Sequence, residues 1–459
     1  MTSTLRRALR LALLVLAGAP LRAQGAGPVA REYRAAADRI IDAAVADSGA
    51  AWNTLAAFTD DAGPRLSGSP ALERGIDWLL AEMKKSGLEN VHGEPAMVPH
   101  WVRGRESASL VAPRAHPLPM LGLGGSVATP KGGITAEVLV VSSFDDLKAK
   151  GAQAKGKIVL FDVPFTNYGQ TVAYRGGAAS AVARVGAVAA LVRSVTPYSM
   201  RTPHTGAMYY DSTVKKIPAA ALTVEDVLMI HRMVDRGTKV VVKLAMEART
   251  LPDAPSRNVV GELRGREQPG EVVVFGGHVD SWDVGQGAMD DGGGVVVAWE
   301  AIKLLKRLGL TPRRTIRVVG WTNEENGDRG GLAYAAAHKA EAASHVLAIE
   351  SDGGVFSPRG FGFTGSDSAR AIVRQVSSLL ARIGADSLGA NGGGADIGPI
   401  GALGVPMMGL EVDGSRYFWF HHTEADTMDK LSPAEMQRCV AAMAVMAYVI
   451  GDLPGGIPR

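Results

Sequence analysis

The chain has 459 residues, of which 46% are apolar and 21% are charged. This balance is typical of a folded globular protein and excludes a disordered or fibrous chain. The formal net charge of +3 is small, and nothing in it points to a nucleic-acid partner.

The N-terminal segment has the pattern of an export signal, predicted here as residues 1–23. Arg6, Arg7 and Arg10 precede an apolar run over residues 11–19, and a small residue, Ala23, follows. The run is shorter than the roughly 20 apolar residues that a membrane anchor needs. Cleavage after Ala23 removes four arginines and no acidic residue, which lowers the net charge from +3 to −1. We therefore expect an exported protein, secreted or periplasmic, with no membrane anchor after cleavage.

Residues 24–116 are predicted to form the first part of a main domain. Apolar residues recur at helical spacing within residues 31–45 and again around residues 76–83, which predicts two amphipathic helices. Between them, residues 63–70 read GPRLSGSP. Their glycine, proline and serine content indicates an ordered loop, with a plain connector as the default interpretation.

The pattern of apolar, glycine and proline residues changes over residues 117–243. Short β-rich runs, such as residues 137–141 and 157–161, alternate with glycines and prolines and with some alanine-rich helix. This pattern predicts a separate, inserted β-rich module.

From residue 258 onward, apolar strands alternate with helices. One helix is predicted to follow Gly294, and strands are predicted at residues 272–275, 315–321, 346–349 and 405–410. The alternation predicts an α/β fold with a mostly parallel, mixed sheet between helices, within a second part of the main domain at residues 244–459. The only cysteine, Cys439, lies in an apolar helical run and is predicted to be a buried thiol.

Polar side chains that can bind metal or move protons lie just after these strands or at nearby turns. They are His278, Asp280, Asp290, Glu324, Glu325, Asp352 and His422. Because the carboxyl ends of parallel strands meet at one edge of a sheet, we expect these side chains to converge in one crevice.

Each of these motifs has an ordinary structural interpretation when it is taken alone. A His-x-Asp pair is common around hydrogen-bonded histidines, and Asp-Asp-Gly-Gly-Gly is also a tight turn. The set is more specific, because two histidines with several carboxylates are the ligand mixture that zinc accepts. A second carboxylate beside a ligand carboxylate supplies the proton acceptor that metal-assisted hydrolysis needs.

From about residue 29 to the C-terminus, the sequence resembles the superfamily of two-zinc aminopeptidases and glutamate carboxypeptidases, in particular its carboxypeptidase Q branch. The resemblance is carried by GPRLSGSP, PHWVRGRESA, GKIVLFDVPF, GGHVDSWDVGQGAMDDGGG, WTNEENG, IESDGG and HHTEADTMD. It implies two Zn²⁺ ions per chain, bound by five metal ligands: His278, Asp290, Glu325, Asp352 and His422. His278 and Asp352 would bind one ion, His422 and Glu325 the other, and Asp290 both.

The same resemblance implies the roles of two catalytic residues. Glu324 matches the general base that activates a hydroxide held between the two ions, and Asp280 matches the carboxylate that orients His278 through its other ring nitrogen. The implied enzyme is a metallo-exopeptidase, either a dipeptidase or a carboxypeptidase, that hydrolyses dipeptides or short peptides with free termini.

The resemblance also implies an architecture. It predicts the zinc-exopeptidase fold with a protease-associated-like domain at residues 117–243, a homodimer, and a cis peptide bond between Asp290 and Asp291. His421 stands where the glutamate carboxypeptidase branch has a tyrosine, so the resemblance does not imply specificity for a glutamate tail.

Four alternatives are distinguishable from the sequence or by a simple measurement. A nucleotide-binding oxidoreductase is indicated by Gly285-x-Gly287, but the third glycine position is Asp290, whose charge would repel a pyrophosphate. A serine hydrolase would need a Gly-x-Ser-x-Gly motif, which is absent from the sequence. A non-catalytic module on the same fold is expected to lose ligands or the base, all of which this sequence keeps. A single-zinc cyclase would differ in metal stoichiometry.

Overall fold

The structure is a computed structural model that describes residues 27–459. The predicted signal peptide therefore lies outside the described residues. Within the described range, no helix is both long and apolar enough to cross a membrane.

The α-helices of the described residues are α1 Pro28–Val45, α2 Ala50–Ala62, α3 Pro70–Lys85, α4 Phe144–Lys150, α5 Tyr168–Arg184, α6 Val224–Asp235, α7 Gly293–Arg307, α8 Arg329–Ala337, α9 Asp367–Ser377, α10 Gly398–Gly401, α11 Tyr417–Phe420 and α12 Pro433–Asp452. The helices predicted at residues 31–45 and 76–83 and after Gly294 correspond to α1, α3 and α7. Proline at the first turn of α1, α3 and α12 suits a helix start, because its missing N–H has no partner there.

The strands are β1 Glu89–Val102, β2 Glu106–Ala112, β3 His116–Leu118, β4 Met120–Gly122, β5 Ile134–Val141, β6 Ile158–Phe161, β7 Ala189–Arg193, β8 Ala219–Leu222, β9 Val241–Met246, β10 Arg249–Leu263, β11 Gln268–His278, β12 Arg314–Trp321, β13 His345–Glu350, β14 Pro358–Thr364, β15 Ser387–Gly389 and β16 Met407–Val412. They form two eight-stranded sheets.

The first sheet has the order β1-β10-β12-β11-β13-β16-β14-β15. Its centre is parallel, whereas β1, β10 and β14 pair with neighbours in antiparallel fashion. Alternate residues of β11 face opposite helical layers: Val273 and Phe275 pack in the core that contains α1, α7 and α12, and Val272 and Val274 pack with α8 and α10. Strands covered on both faces are apolar throughout, which is why the sequence showed continuous apolar runs here. The predicted α/β class with a mixed sheet is confirmed.

The second sheet has the order β3-β2-β9-β5-β6-β7-β8-β4 and takes in residues 106–246. Its strands β5 to β8 are parallel, and α4, α5 and α6 pack around it with apolar cores of their own. The inserted module is therefore a second mixed α/β unit. The chain passes from the first sheet to this unit after β1 and returns through β10, and these two long strands pair with each other.

The prediction for Cys439 is confirmed. Its side chain is fully buried in α12, and its thiol donates to the main-chain oxygen of Phe356 at 3.1 Å. Burial raises the pKa of this thiol well above its ordinary value, which keeps it protonated and unreactive.

Candidate metal centre and active site

The parallel centre of the first sheet brings the predicted site residues to one edge. His278 is the last residue of β11 and pairs with Trp321 at the end of the neighbouring β12. Glu324 and Glu325 follow β12, and Asp352 follows β13 on the other side of β11. The geometry thus places these side chains in one crevice, as the strand order requires.

Asp290 lies at the middle of this cluster and faces two histidines. Its Oδ1 atom is 3.1 Å from Nε2 of His278, and its Oδ2 atom is 3.3 Å from Nε2 of His422. Asp352 Oδ1 lies 3.4 Å from the same nitrogen of His278, and Glu325 Oε2 lies 3.0 Å from that of His422. Asp290 therefore joins one group around His278 to another around His422.

Several side-chain nitrogen and oxygen atoms of both groups are buried without a hydrogen-bond partner, as expected for atoms that bind a metal ion. Nε2 of His278, Oδ2 of Asp290 and Oε1 of Glu325 are buried and make no hydrogen bond of acceptable geometry. Buried polar atoms rarely lack a partner unless a ligand or ion completes them. Imidazole and carboxylate donors at this density match the preferences of zinc. The residues present therefore fit the zinc site that the sequence predicts.

Within residues 27–459, two triads have donor atoms that lie within 4.8 Å of one another, and both contain Asp290. His278 and Asp352 complete one triad, and His421 and His422 complete the other. The sequence did not identify His421 as a potential ligand. Its ring stacks on that of His422, with centroids 3.5 Å apart, and burial lowers the pKa of His421 well below its ordinary value. A neutral His421 is thus available beside the group around His422.

Electrostatics also favour a cation at this position. Burial, together with the nearby Asp290, raises the pKa of Glu325 to about 7. Burial raises the pKa of Glu324 well above its ordinary value, reinforced by Asp352 against the opposing effect of His278. Burial would lower the pKa of His278, but the neighbouring carboxylates hold it well above its ordinary value. Buried carboxylates need compensating positive charge, which metal ions supply.

The turn that presents Asp290 is fixed by two further carboxylates. Asp426 accepts hydrogen bonds from the main-chain N–H of Asp290, at 3.2 Å, and from that of the preceding residue, at 2.8 Å. Asp291 accepts from the N–H groups of His278 and Gly294, both at 3.1 Å. The peptide bond between Asp290 and Asp291 is cis, as predicted.

Two glycines are required by close approach around this turn. A Cβ atom on Gly277 would lie 2.0 Å from a carboxylate oxygen of Asp291, and one on Gly294 would lie 2.0 Å from the carbonyl oxygen of Ser351. The glycine-rich motif therefore allows three chain segments to meet below the site.

The loop at residues 63–70 is more than a connector, which corrects the default interpretation. Ser67 donates from its hydroxyl to Asp280 at 3.2 Å. The fully buried guanidinium of Arg65 supports the chain before Asp290 by donating to the carbonyl oxygens of Val279, Gln286 and Gly287 at 2.5 to 2.8 Å. Burial lowers the pKa of Arg65 to about 10, so it stays charged near neutral pH. A sequence search for ligands and bases could not find these supporting residues.

Asp280 contacts both the ring of His278 and the main chain of Glu324. Nδ1 of His278 lies 3.0 Å from the main-chain oxygen of Asp280 and 3.9 Å from its carboxylate. The carboxylate of Asp280 accepts the main-chain N–H of Glu324 at 3.1 Å. Glu324 itself is 21% exposed, and its Oε2 lies 4.0 Å from Nε2 of His278. The predicted base therefore borders the metal-ligand cluster and faces open space.

A cavity of about 480 Å³ opens onto these residues between the two units of the protein. The first unit contributes the site carboxylates and histidines. The second contributes Tyr168, Arg175, Ala207 and Tyr209. These four residues carry no motif, so only their folded position connects them with the site.

Comparison with known proteins provides independent evidence for the family to which this chain belongs. The model for peptidase family M28 matches residues 258–447. The chain is 48% identical to carboxypeptidase Q of Mus musculus over 408 residues, 89% of this chain and 87% of that protein. It superposes on the crystal structure of a peptidase M28 precursor from Shewanella amazonensis with a TM-score of 0.90 and 35% identity, covering 94% of this chain and 99% of that one. A zinc aminopeptidase from Bacillus subtilis, 21% identical, has a similar fold, with a TM-score of 0.65 over 87% of this chain and 94% of that one.

Proposed function

Because this chain belongs to peptidase family M28 and is a zinc metallopeptidase of the exopeptidase type, we propose that it is an exported two-zinc enzyme. Its proposed substrates are dipeptides and short peptides whose termini are free. The observation that carries the two-metal proposal is the position of Asp290, whose two carboxylate oxygens face different histidines, His278 and His422.

His278, Asp290 and Asp352 would hold one zinc ion, and Asp290, Glu325 and His422 would hold the other. When bound, the two ions would acidify water and neutralise the negative charge that develops on the peptide carbonyl oxygen. The surrounding carbonyl oxygens and carboxylates keep the ligands in place before the metals arrive, which limits reorganisation during catalysis.

Glu324 acts as the general base in this proposal. It borders the cavity, and its carboxylate lies 4.0 Å from Nε2 of His278 at the edge of the proposed ligand group. The carboxylate of Asp280 accepts a hydrogen bond from the main-chain N–H of Glu324, which fixes the backbone position from which the Glu324 side chain extends. Glu324 takes a proton from the attacking water and delivers it to the leaving amine.

The charges of the cavity support a small zwitterionic substrate. Its volume of about 480 Å³ lies in the range of small-molecule sites. Among the described residues that line it, Arg175 is the one permanent cation, which suits a free carboxylate. Asp328, a carboxylate outside the proposed ligand set, also lines the cavity and suits a free amine.

Substrates with blocked termini test the exopeptidase proposal. We expect N-acetylation or C-amidation of a good dipeptide substrate to lower kcat/KM by about 10-fold to 100-fold, because each modification removes a charge-assisted contact. The measurement compares the free and blocked peptides on one enzyme preparation, with the Glu324→Gln variant as the control for contaminating peptidases. Equal rates on free, blocked and long peptides would show that the enzyme is not an exopeptidase of this kind.

The remaining parts of the proposal concern assembly and location. The second unit is proposed to be a protease-associated-like cover, supported by the four side chains that it places in the cavity wall. A homodimer is proposed from the resemblance to the carboxypeptidase Q branch. Export is proposed from the basic and apolar N-terminal pattern of the sequence.

A further inference from the structure

One segment of the second unit is in main-chain contact with a proposed metal ligand. Residues 204–206 lie in the loop between β7 and β8, and Thr205 is fully buried. The N–H of Thr205 donates to the main-chain oxygen of His422 at 3.0 Å. In the other direction, Nδ1 of His422 lies 3.4 Å from the main-chain oxygen of Thr205.

We propose that Thr205 is a positioning residue for the metal site, because its main chain sets the ring and backbone orientation of His422. The inference rests on the proposed function in one respect, the assignment of His422 as a zinc ligand. Through Thr205, the second unit would help to hold the metal-binding group around His422 in place.

The two ring nitrogens of His422 have different surroundings. Nε2 faces Asp290 and Glu325, at 3.3 and 3.0 Å. Nδ1 lies 3.4 Å from the main-chain oxygen of Thr205 and 3.4 Å from Nη1 of Arg175. Because a guanidinium can only donate, the carbonyl of Thr205 is the one of these two groups that can accept a hydrogen bond from the N–H of Nδ1. A metal-binding histidine commonly donates its second ring N–H to a carbonyl or carboxylate, which fixes the tautomer and the ring orientation. Thr205 meets this requirement from outside the first unit.

The backbone of His422 also needs support. Its φ angle is +61°, in the left-handed region that non-glycine residues rarely adopt. The bond from the N–H of Thr205 to the carbonyl oxygen of His422 ties this conformation to the second unit. Loosening residues 204–206 would therefore release both the backbone and the ring of the ligand.

Thr205 is itself held by its side chain. Its hydroxyl donates to the carbonyl oxygen of Gly122 at 2.8 Å and accepts from Arg103 at 3.3 Å. Arg103 in turn donates to Asp283 of the first unit at 2.8 Å. Hydrogen bonds therefore connect the side chain of Thr205, through Arg103, to Asp283 in the first unit.

The next residue shows how closely this segment is packed. Gly206 has a φ of +136°, and a Cβ atom there would lie 2.3 Å from the guanidinium carbon of Arg175. Arg175 donates to the carbonyl oxygen of Thr205 at 3.4 Å. A side chain at position 206 would displace the segment, Arg175 or both.

The proposal predicts an effect on one half of the metal site. Thr205→Val keeps the shape of the side chain but removes its hydroxyl, so the main chain of Thr205 loses its anchor on Gly122. We expect zinc affinity to fall about 10-fold to 100-fold at one site, the range found when an outer partner of a ligand is lost. The other site, which includes His278, should keep its affinity.

Competition with a chromophoric chelator during zinc titration of the metal-free full chain measures both affinities without reference to activity. Thr205→Ser keeps the hydroxyl and should restore the wild-type values. Thr196→Val is the matched control, since Thr196 is equally buried in the same loop and its hydroxyl donates to the main-chain oxygen of Phe418 in the first unit, which is not a proposed ligand. Gly206→Ala disturbs the segment by a different route and should reproduce the one-site loss.

Unchanged zinc affinity at both sites in Thr205→Val and Gly206→Ala would overturn the proposal, as would an equal loss in Thr196→Val. A wild-type chain that binds fewer than two zinc ions would overturn the proposed function together with this inference. Two zinc ions in the wild type with no one-site loss in the variants would overturn this inference alone.

Discussion

Glu324→Gln is expected to lower kcat about 10²-fold to 10⁴-fold while the protein keeps its full zinc content. Glutamine has nearly the same shape as glutamate but cannot accept a proton, and general base catalysis contributes a factor of this size. Glu324 is not among the five proposed ligands, and its Oε2 atom comes no closer than 4.0 Å to Nε2 of His278, so metal binding should not depend on it. Its main-chain bond to Asp280 is also unaffected by the change.

The two measurements are kcat on a free dipeptide and zinc content by elemental analysis. Asp328→Asn is the matched control, because it removes one negative charge from the wall of the same cavity without removing the proposed base. We expect this control to change KM more than kcat. A Glu324→Gln enzyme with near wild-type kcat would show that another group takes the proton.

Asp290→Ala is expected to reduce zinc binding at both sites and to lower activity by more than about 10²-fold. Loss of a residue that only supports a ligand costs about 10-fold to 100-fold in metal affinity or activity, and Asp290 faces both histidines directly. The change removes both carboxylate oxygens at once. It also leaves the remaining buried carboxylates and histidines without their shared partner.

Zinc content after dialysis distinguishes the shared role proposed for Asp290 from the role of a residue that binds only one ion. His422→Ala should mainly reduce binding at one site, since its ring nitrogen faces only the group around Asp290 and Glu325. Thermal unfolding followed by circular dichroism identifies variants that have lost their fold. A folded Asp290→Ala protein with two tightly bound zinc ions would refute the bridging role.

The central sheet and the convergence of the proposed ligand residues at its edge could be predicted because their signals lie within short stretches of sequence. Apolar strands buried on both faces give continuous apolar runs, and the proposed ligands His278, Glu325 and Asp352 lie at or just after the ends of these runs. Asp290 could be recognised in the same way, because a run of glycines follows close behind it. One of them, Gly294, is required because its backbone lies against the carbonyl oxygen of Ser351. These features can be recognised within a short stretch of sequence, even where their physical reason is a contact with a distant residue.

The supporting residues could not be predicted, because their contacts are distant in sequence and often involve the main chain. Arg65 binds carbonyl oxygens more than 200 positions away, which leaves no pattern in side-chain types. Thr205 contacts His422 through main-chain atoms alone.

The limits of the second unit were difficult to locate for a related reason. Its sheet begins with β2 at Glu106, before the predicted start at residue 117, because β2 pairs with β9 near the far end of the unit. Strand alternation indicates that a segment is a strand but not which sheet it joins. The same ambiguity hid the pairing of β1 with β10.

Zinc content measured together with peptidase activity tests the two-zinc exopeptidase proposal most directly. We expect two zinc ions per chain in the purified protein, loss of activity as a chelator removes them, and recovery of both when zinc is returned. The donor atoms that lack partners in the folded chain, on His278, Asp290 and Glu325, are the physical reason for this expectation. One zinc ion per fully active chain, or full activity in zinc-free protein, would contradict it.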